Sequence, residues 1–455
     1  MVDLDDIIKA YDVRGIYPEQ LNADLARAVG AAFVRVLKVN TADGGPGAVV
    51  VGWDMRPSGP ELVDAFADGV TSQGCDVIKI GLASTDGLYF ASGHLGLHGA
   101  MFTASHNPAE YNGIKLCRPG AAPVGRDSGL EDIKALIRAG IPAYDGARGT
   151  VTERDMLHAY SDYLRTLVDL ESIRPLKVVV DAGNGMGGHT VPVVLRGLPL
   201  DIVPMYFELD GSFPNHEANP IDPENLRDLQ AAVLAHGADI GLAFDGDADR
   251  CFVVDEQGAI VDPSTLTALI AVRELAKAPG ATIIHNLITS RAVPEIVREH
   301  GGTPVRTRVG HSFIKETMAT SGAVFGGEHS GHFYFADFWR ADSGMLAALH
   351  TLSALGHTPE GTTLSSMLHP YQRYAMSGEI NSRVSDVRAK IAEVRAAFAD
   401  RTSIDELDGI TFSGDGWWFN LRPSNTEPLL RLNVEAATPV AVQSIVDEVL
   451  AIVRA

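Results

Sequence analysis

Asp245, Asp247 and Asp249 alternate with small residues in Asp245-Gly-Asp-Ala-Asp-Arg250. Carboxylates spaced in this way can converge on one hard cation without crowding. The all-oxygen set suits magnesium, with a phosphate oxygen free to complete the octahedron. An EF-hand would share the spacing and use Glu256 as its twelfth ligand, but Arg250 stands where its sixth-position glycine belongs, and both flanks read as strands. A solvated acidic turn is the inert alternative. Ser105 lies in Thr103-Ala-Ser-His-Asn-Pro108, a tight turn in which it can cap a helix or, beside a metal loop, carry a phosphoryl group. No G-x-S-x-G elbow surrounds it, which disfavours a serine hydrolase. Arg422, Ser424, Asn425 and Thr426 offer a guanidinium fork, two hydroxyls and an amide, the donors a phosphate dianion needs; the bland reading is a hairpin loop rich in turn formers. Glu328, Ser330 and His332 alternate in a Gly-rich loop, where they can orient sugar hydroxyls and offer a titratable imidazole, or form only a polar turn. Asp181-Ala-Gly-Asn-Gly-Met-Gly-Gly188 lacks G-x-G-x-x-G in register and reads as structural.

The elements that must carry these loops repeat. Gly47–Gly52, Asp76–Gly81 and Gly99–Phe102 are short apolar runs separated by helical patterns; Leu176–Val180, Leu200–Val203 and Asp239–Phe244 follow the same plan, as do Ala281–Ile284, Gly302–Arg306 and Gly322–Phe325. Nearly continuous apolar strands alternating with helices predict mixed, mostly parallel sheets buried on both faces. A polar loop follows each third strand, after Phe102, Phe244 and Phe325. Ligands gather outside the carboxyl ends of such strands, so the expectation is three similar α/β domains around a central cleft. The C-terminal stretch, with paired strands at Trp417–Leu421 and Leu429–Val434 and a helix over Val440–Val453, reads as a smaller α+β domain. The expected division is 1–150 with the Ser105 loop, 151–253 with the metal loop, 254–365 with the sugar loop and 366–455 with the phosphate loop.

With 455 residues the chain can bury several cores, and its 58 acidic against 37 basic residues give a net charge of −21, the wrong sign for coating nucleic acid or an anionic membrane. An anionic substrate needs a locally basic site. Three scattered cysteines, Cys75, Cys117 and Cys251, fit neither a disulfide framework nor a zinc site. No apolar run reaches the roughly 18 residues of a membrane span, and the acidic N-terminus has no apolar leader core, so the expectation is a soluble, cytoplasmic protein.

Together, Tyr11-Asp-Val-Arg-Gly15, Thr103–Pro108, Asp245–Arg250, Gly327–His332 and Arg422–Pro428 resemble the α-D-phosphohexomutase superfamily, most closely its bacterial phosphomannomutase/phosphoglucomutase branch, over essentially the whole chain. The resemblance implies an intramolecular phosphotransferase that interconverts mannose 6-phosphate and mannose 1-phosphate, with glucose phosphates as further substrates. The reaction would pass through a phosphoserine at Ser105 and a hexose 1,6-bisphosphate that turns around, since one phosphoserine must address both ends of the sugar. It implies magnesium held by Asp245, Asp247, Asp249 and the phosphate on Ser105. Tyr11, Arg14, His106, Lys115, Arg250 and His311 match active-site positions, with Lys115 and His332 the candidates for acid–base work. Glu328 and Ser330 match sugar contacts, and Arg422, Ser424, Asn425 and Thr426 a phosphate clamp. Ile288 stands where many members carry lysine. Glucosamine mutases generally place glutamine where this chain has His329. The expected partner is a phosphohexose, with no nucleic acid or membrane, and the expected assembly a monomer or homodimer.

Two rival readings remain at this stage. A haloacid-dehalogenase-type enzyme also uses a D-x-D loop, but prefers Thr or Val where Asp249 stands. A phosphosugar-binding regulator without turnover would have little use for the serine, the three aspartates and the basic residues together.

Overall fold

The computed structural model describes residues 3–39, 47–423 and 429–455. They form two compact units, Met1–Val261 with Ser330–Ser365, and Asp262–His329 with Ser366–Ala455. Among the described residues no helix is long and apolar enough to cross a membrane.

The first unit contains two sheets. One orders its strands Val13–Ile16, Tyr111–Arg118, His98–Phe102, Ala48–Trp53, Asp76–Leu82 and Val151–Glu153, with Ala122–Pro123 added to Tyr111–Arg118. Its centre is parallel, and the strands His98–Phe102 and Ala48–Trp53 are wholly or almost wholly buried, as their unbroken apolar composition predicts. Antiparallel pairing of Tyr111–Arg118 with both His98–Phe102 and Val13–Ile16 brings Lys115 and Arg14 to the sheet end where the Ser105 loop emerges. The second sheet orders Ile260–Val261, Cys251–Asp255, Ile240–Phe244, Leu176–Asp181 and Leu200–Met205. Here Ile240–Phe244 runs parallel to Leu176–Asp181 and antiparallel to Cys251–Asp255, so the aspartate loop joins two strands that pair directly, Phe244 opposite Cys251. Both sheets are thus mixed, parallel at the centre with antiparallel strands on the side that carries the functional loops, as expected.

Helices close these sheets. Asn22 and Ser84 cap Ala23–Val36 and Thr85–Leu95 through their side-chain oxygens. Ser343 caps Gly344–Gly356, a helix with nearly every residue buried, which follows the hairpin of Phe333–Phe335 with Ala341–Asp342. The helices Ala23–Val36 and Gly59–Ser72 approach backbone to backbone, which two glycines permit: a Cβ on Gly30 would lie 2.4 Å from the Phe66 carbonyl oxygen, and one on Gly69 2.0 Å from that of Arg27.

In the second unit, Thr303–Thr307, Thr282–Asn286 and Phe325–Gly327 lie parallel in that order. The C-terminal sheet is antiparallel throughout, ordered Ala375–Arg383, Leu429–Ala436, Trp417–Pro423, Ile410–Gly414 and Ser403–Asp405. Period-two alternation gives it two unlike faces. Phe419, Leu421, Leu430, Leu432 and Val434 join residues of Val387–Phe398 and Pro439–Val453 in an apolar core. Trp418, Asn420, Arg422, Asn433 and Glu435 occupy the alternate positions. Buried Glu435 accepts from Trp418 Nε1 at 2.7 Å and from the Arg291 backbone at 3.2 Å, and Ile288 packs with Leu287 and Trp418.

Gly69→Ala should separate the two helices, and overpacking of this kind costs about 1–3 kcal/mol. The expected outcome is a lower thermal midpoint for the N-terminal unit; an unchanged midpoint in scanning calorimetry would show that the backbone contact is not limiting.

Candidate active site

Ser105 follows the buried strand His98–Phe102 and has a left-handed backbone, φ 51°, unusual for a non-glycine residue. Its N–H donates to Thr103 Oγ1 at 2.8 Å, fixing the turn, and its hydroxyl donates to Asp245 Oδ2 at 2.9 Å. The serine and aspartate loops touch because residue 246 is glycine: a Cβ there would stand 2.4 Å from the Ser105 carbonyl oxygen. Ala248, with φ 57°, turns the aspartate loop back into Cys251–Asp255.

Asp245, Asp247 and Asp249 are all buried, and each offers an oxygen within 4.8 Å of the others. The cations around them are unequal in effect. Lys115 Nζ donates to Asp247 Oδ2 at 2.7 Å and Asp249 Oδ2 at 2.8 Å. Burial works against the ammonium, but these carboxylates outweigh it and hold the lysine pKa well above its ordinary value. Burial likewise opposes ionisation of Asp247, yet Lys115 and the Thr85 hydroxyl, 2.6 Å away, keep this carboxyl well below the usual range. Asp245 behaves in the opposite way. Burial, with Asp249 and Asp247 adding to it, overcomes Arg250 and raises its pKa to about 8. Carboxylates this close, with two cationic side chains between them, oppose one another's ionisation. Among the described residues, Asp247 Oδ1 and Asp249 Oδ1 are buried without a hydrogen bond. Orphaned carboxylate oxygens in an all-oxygen set are the donors a magnesium ion takes, so these residues fit that ion.

Arg250 donates through Nε to Asp245 Oδ2 at 2.9 Å and through Nη2 to His106 Nδ1 at 2.6 Å. The acceptor role makes His106 a neutral imidazole carrying its proton on Nε2. Burial, then Arg250 and Arg14, push its pKa well below the histidine norm. Arg14 donates to Asn107 Oδ1 and Asp12 Oδ2, both at 2.6 Å. His332 contacts Ser330 Oγ through Nδ1 at 3.0 Å, and its Nε2 lies 3.7 Å from Asp249 Oδ1 and 4.0 Å from Asp342 Oδ2. Tyr11 is half-buried in the bend before Val13–Ile16.

Ser105, His106, Arg14, Lys115, Arg250, His332 and the three aspartates therefore assemble within the first unit. Glu328 and Arg422 belong to the second. Glu328 is buried and accepts from Asn286 Nδ2 at 3.2 Å and Gly310 N at 3.3 Å. Arg422 is the penultimate residue of the strand Trp417–Pro423, with Glu379 Oε2 at 3.5 Å and Asp408 Oδ2 at 3.7 Å. His311 begins the helix His311–Ser321. Ser424, Asn425 and Thr426 lie outside the described residues. Ile288 is 5% exposed in its apolar cluster, so its side chain serves packing.

Three residues that support this site escaped the sequence reading. Thr85 holds Asp247 through its hydroxyl, and its N–H donates to the Asp247 carbonyl at 3.0 Å. Asp342 faces His332. Arg56 is 1% exposed beneath the Ser105 loop. An arginine in Trp53-Asp-Met-Arg-Pro57, just after an apolar strand, was the available signal.

The chain matches the phosphoglucomutase/phosphomannomutase models for alpha/beta/alpha domain I over residues 5–142, domain II over 158–258 and domain III over 262–374, and for the C-terminal domain over 379–452. It is 42% identical over 438 residues to a phosphomannomutase of Salmonella montevideo, and 43% identical over 430 residues to the phosphohexose mutases of Xanthomonas campestris pv. campestris, covering 94% of both chains in each comparison. A solved phosphoglucomutase/phosphomannomutase family protein from Burkholderia thailandensis superposes with a TM-score of 0.89 at 33% identity, over 100% of this chain and 98% of that one. The architecture is thus three α/β domains followed by a C-terminal domain with an antiparallel sheet, and, with all four domain models matched in order, the chain belongs to the phosphoglucomutase/phosphomannomutase family.

Proposed function

We propose that this protein is a phosphomannomutase, interconverting mannose 6-phosphate and mannose 1-phosphate and also accepting glucose phosphates, with Ser105 as the phosphoryl carrier. The observation that carries the reading is the Ser105 hydroxyl at 2.9 Å from an aspartate of a three-carboxylate set, with Arg250 and Lys115 beside it. Phosphoryl transfer has a loose, charge-spread transition state, so alignment and positive charge supply most of the catalysis. In the forward half-reaction the bond between phosphorus and Ser105 Oγ breaks as a bond to a sugar hydroxyl oxygen forms. The hydroxyl proton leaves to a base and Ser105 Oγ regains one. Lys115, kept as an ammonium, suits the proton donor, and His332 the acceptor. Neutral His106 can donate from Nε2 to a phosphate oxygen. Bound at Asp245, Asp247 and Asp249, magnesium would add Lewis-acid stabilisation of phosphate charge. The resulting 1,6-bisphosphate turns around and returns its other phosphoryl group to Ser105, while Arg422 with Ser424, Asn425 and Thr426 holds the phosphate that is not reacting. Glu328 and Ser330 are the proposed sugar contacts, with Tyr11 and His311 completing the substrate set. A cytoplasmic monomer or homodimer acting on free phosphosugars is the corresponding setting.

Ser105→Ala should fold normally and lose several orders of magnitude in mutase rate. Labelled phosphate on the wild-type serine should resist hydroxylamine, which an acyl phosphate on aspartate would not; near-normal turnover by the folded variant would remove Ser105 from the mechanism. Chelation should abolish turnover, and Asp247→Asn should shift the magnesium titration to higher concentration. A titration identical to wild type would exclude this metal set.

Losing a guanidinium from a charge-assisted phosphate contact costs about 1.5–3 kcal/mol, or roughly 10- to 150-fold in kcat/KM. Arg422→Ala should therefore impair forward and reverse directions alike and raise the requirement for added bisphosphate. Steady-state kinetics in both directions test this, and unchanged kcat/KM for both monophosphates would leave the loop a simple turn. A panel of mannose, glucose, glucosamine and N-acetylglucosamine 1-phosphates tests the sugar assignment, with the first two expected to be preferred.

A further inference from the structure

Arg56 follows the strand Ala48–Trp53, which pairs with His98–Phe102, the strand leading into the Ser105 loop. Its Nη1 donates to the carbonyl oxygens of Pro108 at 2.7 Å and Tyr111 at 2.8 Å, and its Nη2 to those of Ser105 at 3.0 Å and Asn107 at 2.6 Å. One buried guanidinium thus gathers four backbone carbonyls from a single seven-residue loop. The arginine is itself fixed. Asp54 Oδ1 accepts from its backbone N–H at 3.0 Å, Asp54 Oδ2 lies 3.3 Å from Nε, and the Phe213 ring centre is 5.2 Å from its guanidinium carbon. None of these contacts is with a group that the proposed reaction transforms.

The loop needs such a restraint. Left-handed backbone at a non-glycine residue is strained and persists only where its surroundings impose it. The backbone carbonyl of Ser105, on one side of the residue, is tied to Arg56, while the hydroxyl on the other is directed at Asp245. We propose that Arg56 is a positioning residue for phosphoryl transfer: by tying down the carbonyls of Ser105, Asn107, Pro108 and Tyr111, it holds Ser105 in the backbone conformation that aims Oγ at the aspartate set. This deepens, and rests on, the assignment of Ser105 as the phosphoryl carrier.

Lysine at position 56 separates positioning from charge, because an ammonium keeps the charge but cannot present a planar fork to four carbonyls. In Arg56→Lys, kcat should fall about 10- to 100-fold, the scale of a misplaced reacting group, while KM for the sugar monophosphate stays within about twofold. Loading of Ser105 from glucose 1,6-bisphosphate, followed by intact and peptide mass, should slow by the same factor. Wild-type kcat and loading rate in the folded variant would overturn the inference, as would a raised KM with kcat intact. If Arg56→Lys fails to fold by circular dichroism and gel filtration, Asp54→Asn carries the test, since it keeps the guanidinium and removes its carboxylate anchor. The same kcat-selective fall, of a few fold, supports the inference, and unchanged kcat overturns it. Wild-type protein that takes no phosphoryl group at Ser105 would instead defeat the functional reading, whatever the Arg56 variants do.

Discussion

Burying Asp245, Asp247 and Asp249 within reach of one another is the constraint on which the site depends. Each oxygen removed from water needs a cation or a donor, and the supply within the first unit is uneven: Lys115 serves two carboxylates, Arg250 chiefly serves the third, and two oxygens remain without a hydrogen bond. The same imbalance raises Asp245 and depresses Asp247 although both are wholly buried. A divalent cation would compensate the three carboxylates together. In a chain of net charge −21, local compensation of this kind makes an anionic substrate acceptable where the overall field would repel it.

Charge alone does not place a serine. Two strand-end loops meet at Ser105 and Gly246 with no room for a side chain on the latter, and each contains a non-glycine residue in left-handed backbone. Arg56 satisfies the carbonyls that this geometry turns inward. Thr85 performs the matching task for Asp247, from the start of a helix capped by Ser84. The neighbouring Asp86 is fully buried and accepts from Tyr160 at 2.7 Å and Ser343 at 2.6 Å, as well as from Ser84. Burial raises its pKa to about 6 against these donors, so the helix start is fixed by a carboxyl that plays no part in the proposed chemistry.

The sequence made the core strands and chemistry-bearing loops legible because each leaves a local mark: unbroken apolar runs at Gly99–Phe102 and Ile240–Phe244, and alternating aspartates after Phe244. The site's supports left weaker marks. Arg56 and Thr85 act through contacts distant in sequence, Thr85 reaching an aspartate 162 positions away, and Asp342 meets His332 only through the return of a hairpin. The edge strand Val13–Ile16 and its inner neighbour Tyr111–Arg118 were hidden because their pairing depends on return geometry rather than composition. The mixed burial of Tyr111–Arg118 follows from its position between the sheet centre and the site it supplies with Lys115. The resemblance made Ile288 conspicuous as a departure; the structure accounts for it as part of an apolar cluster with Trp418, a contact no periodicity could announce.

The second unit meets the same electrostatic problem with the opposite sign. Arg422 is largely buried at a strand end, with Glu379 and Asp408 at 3.5 and 3.7 Å, beyond the 2.7–2.9 Å of a close charge-assisted bond. Neither carboxylate engages the guanidinium tightly, and among the described residues its Nε has no hydrogen bond. Asp408 also accepts from Val309 N at 3.2 Å, and the next amide, Gly310 N, donates to Glu328. One short backbone segment therefore joins the carboxylate facing Arg422 to the proposed sugar contact. A phosphate dianion arriving at Arg422 would compete with Asp408 for the same cation, whereas a neutral sugar would not. Loose pre-pairing by two carboxylates is thus a contact that a doubly charged ligand would replace, and the Asp408 carboxylate it would displace is bound by the amide adjacent to the one that binds Glu328.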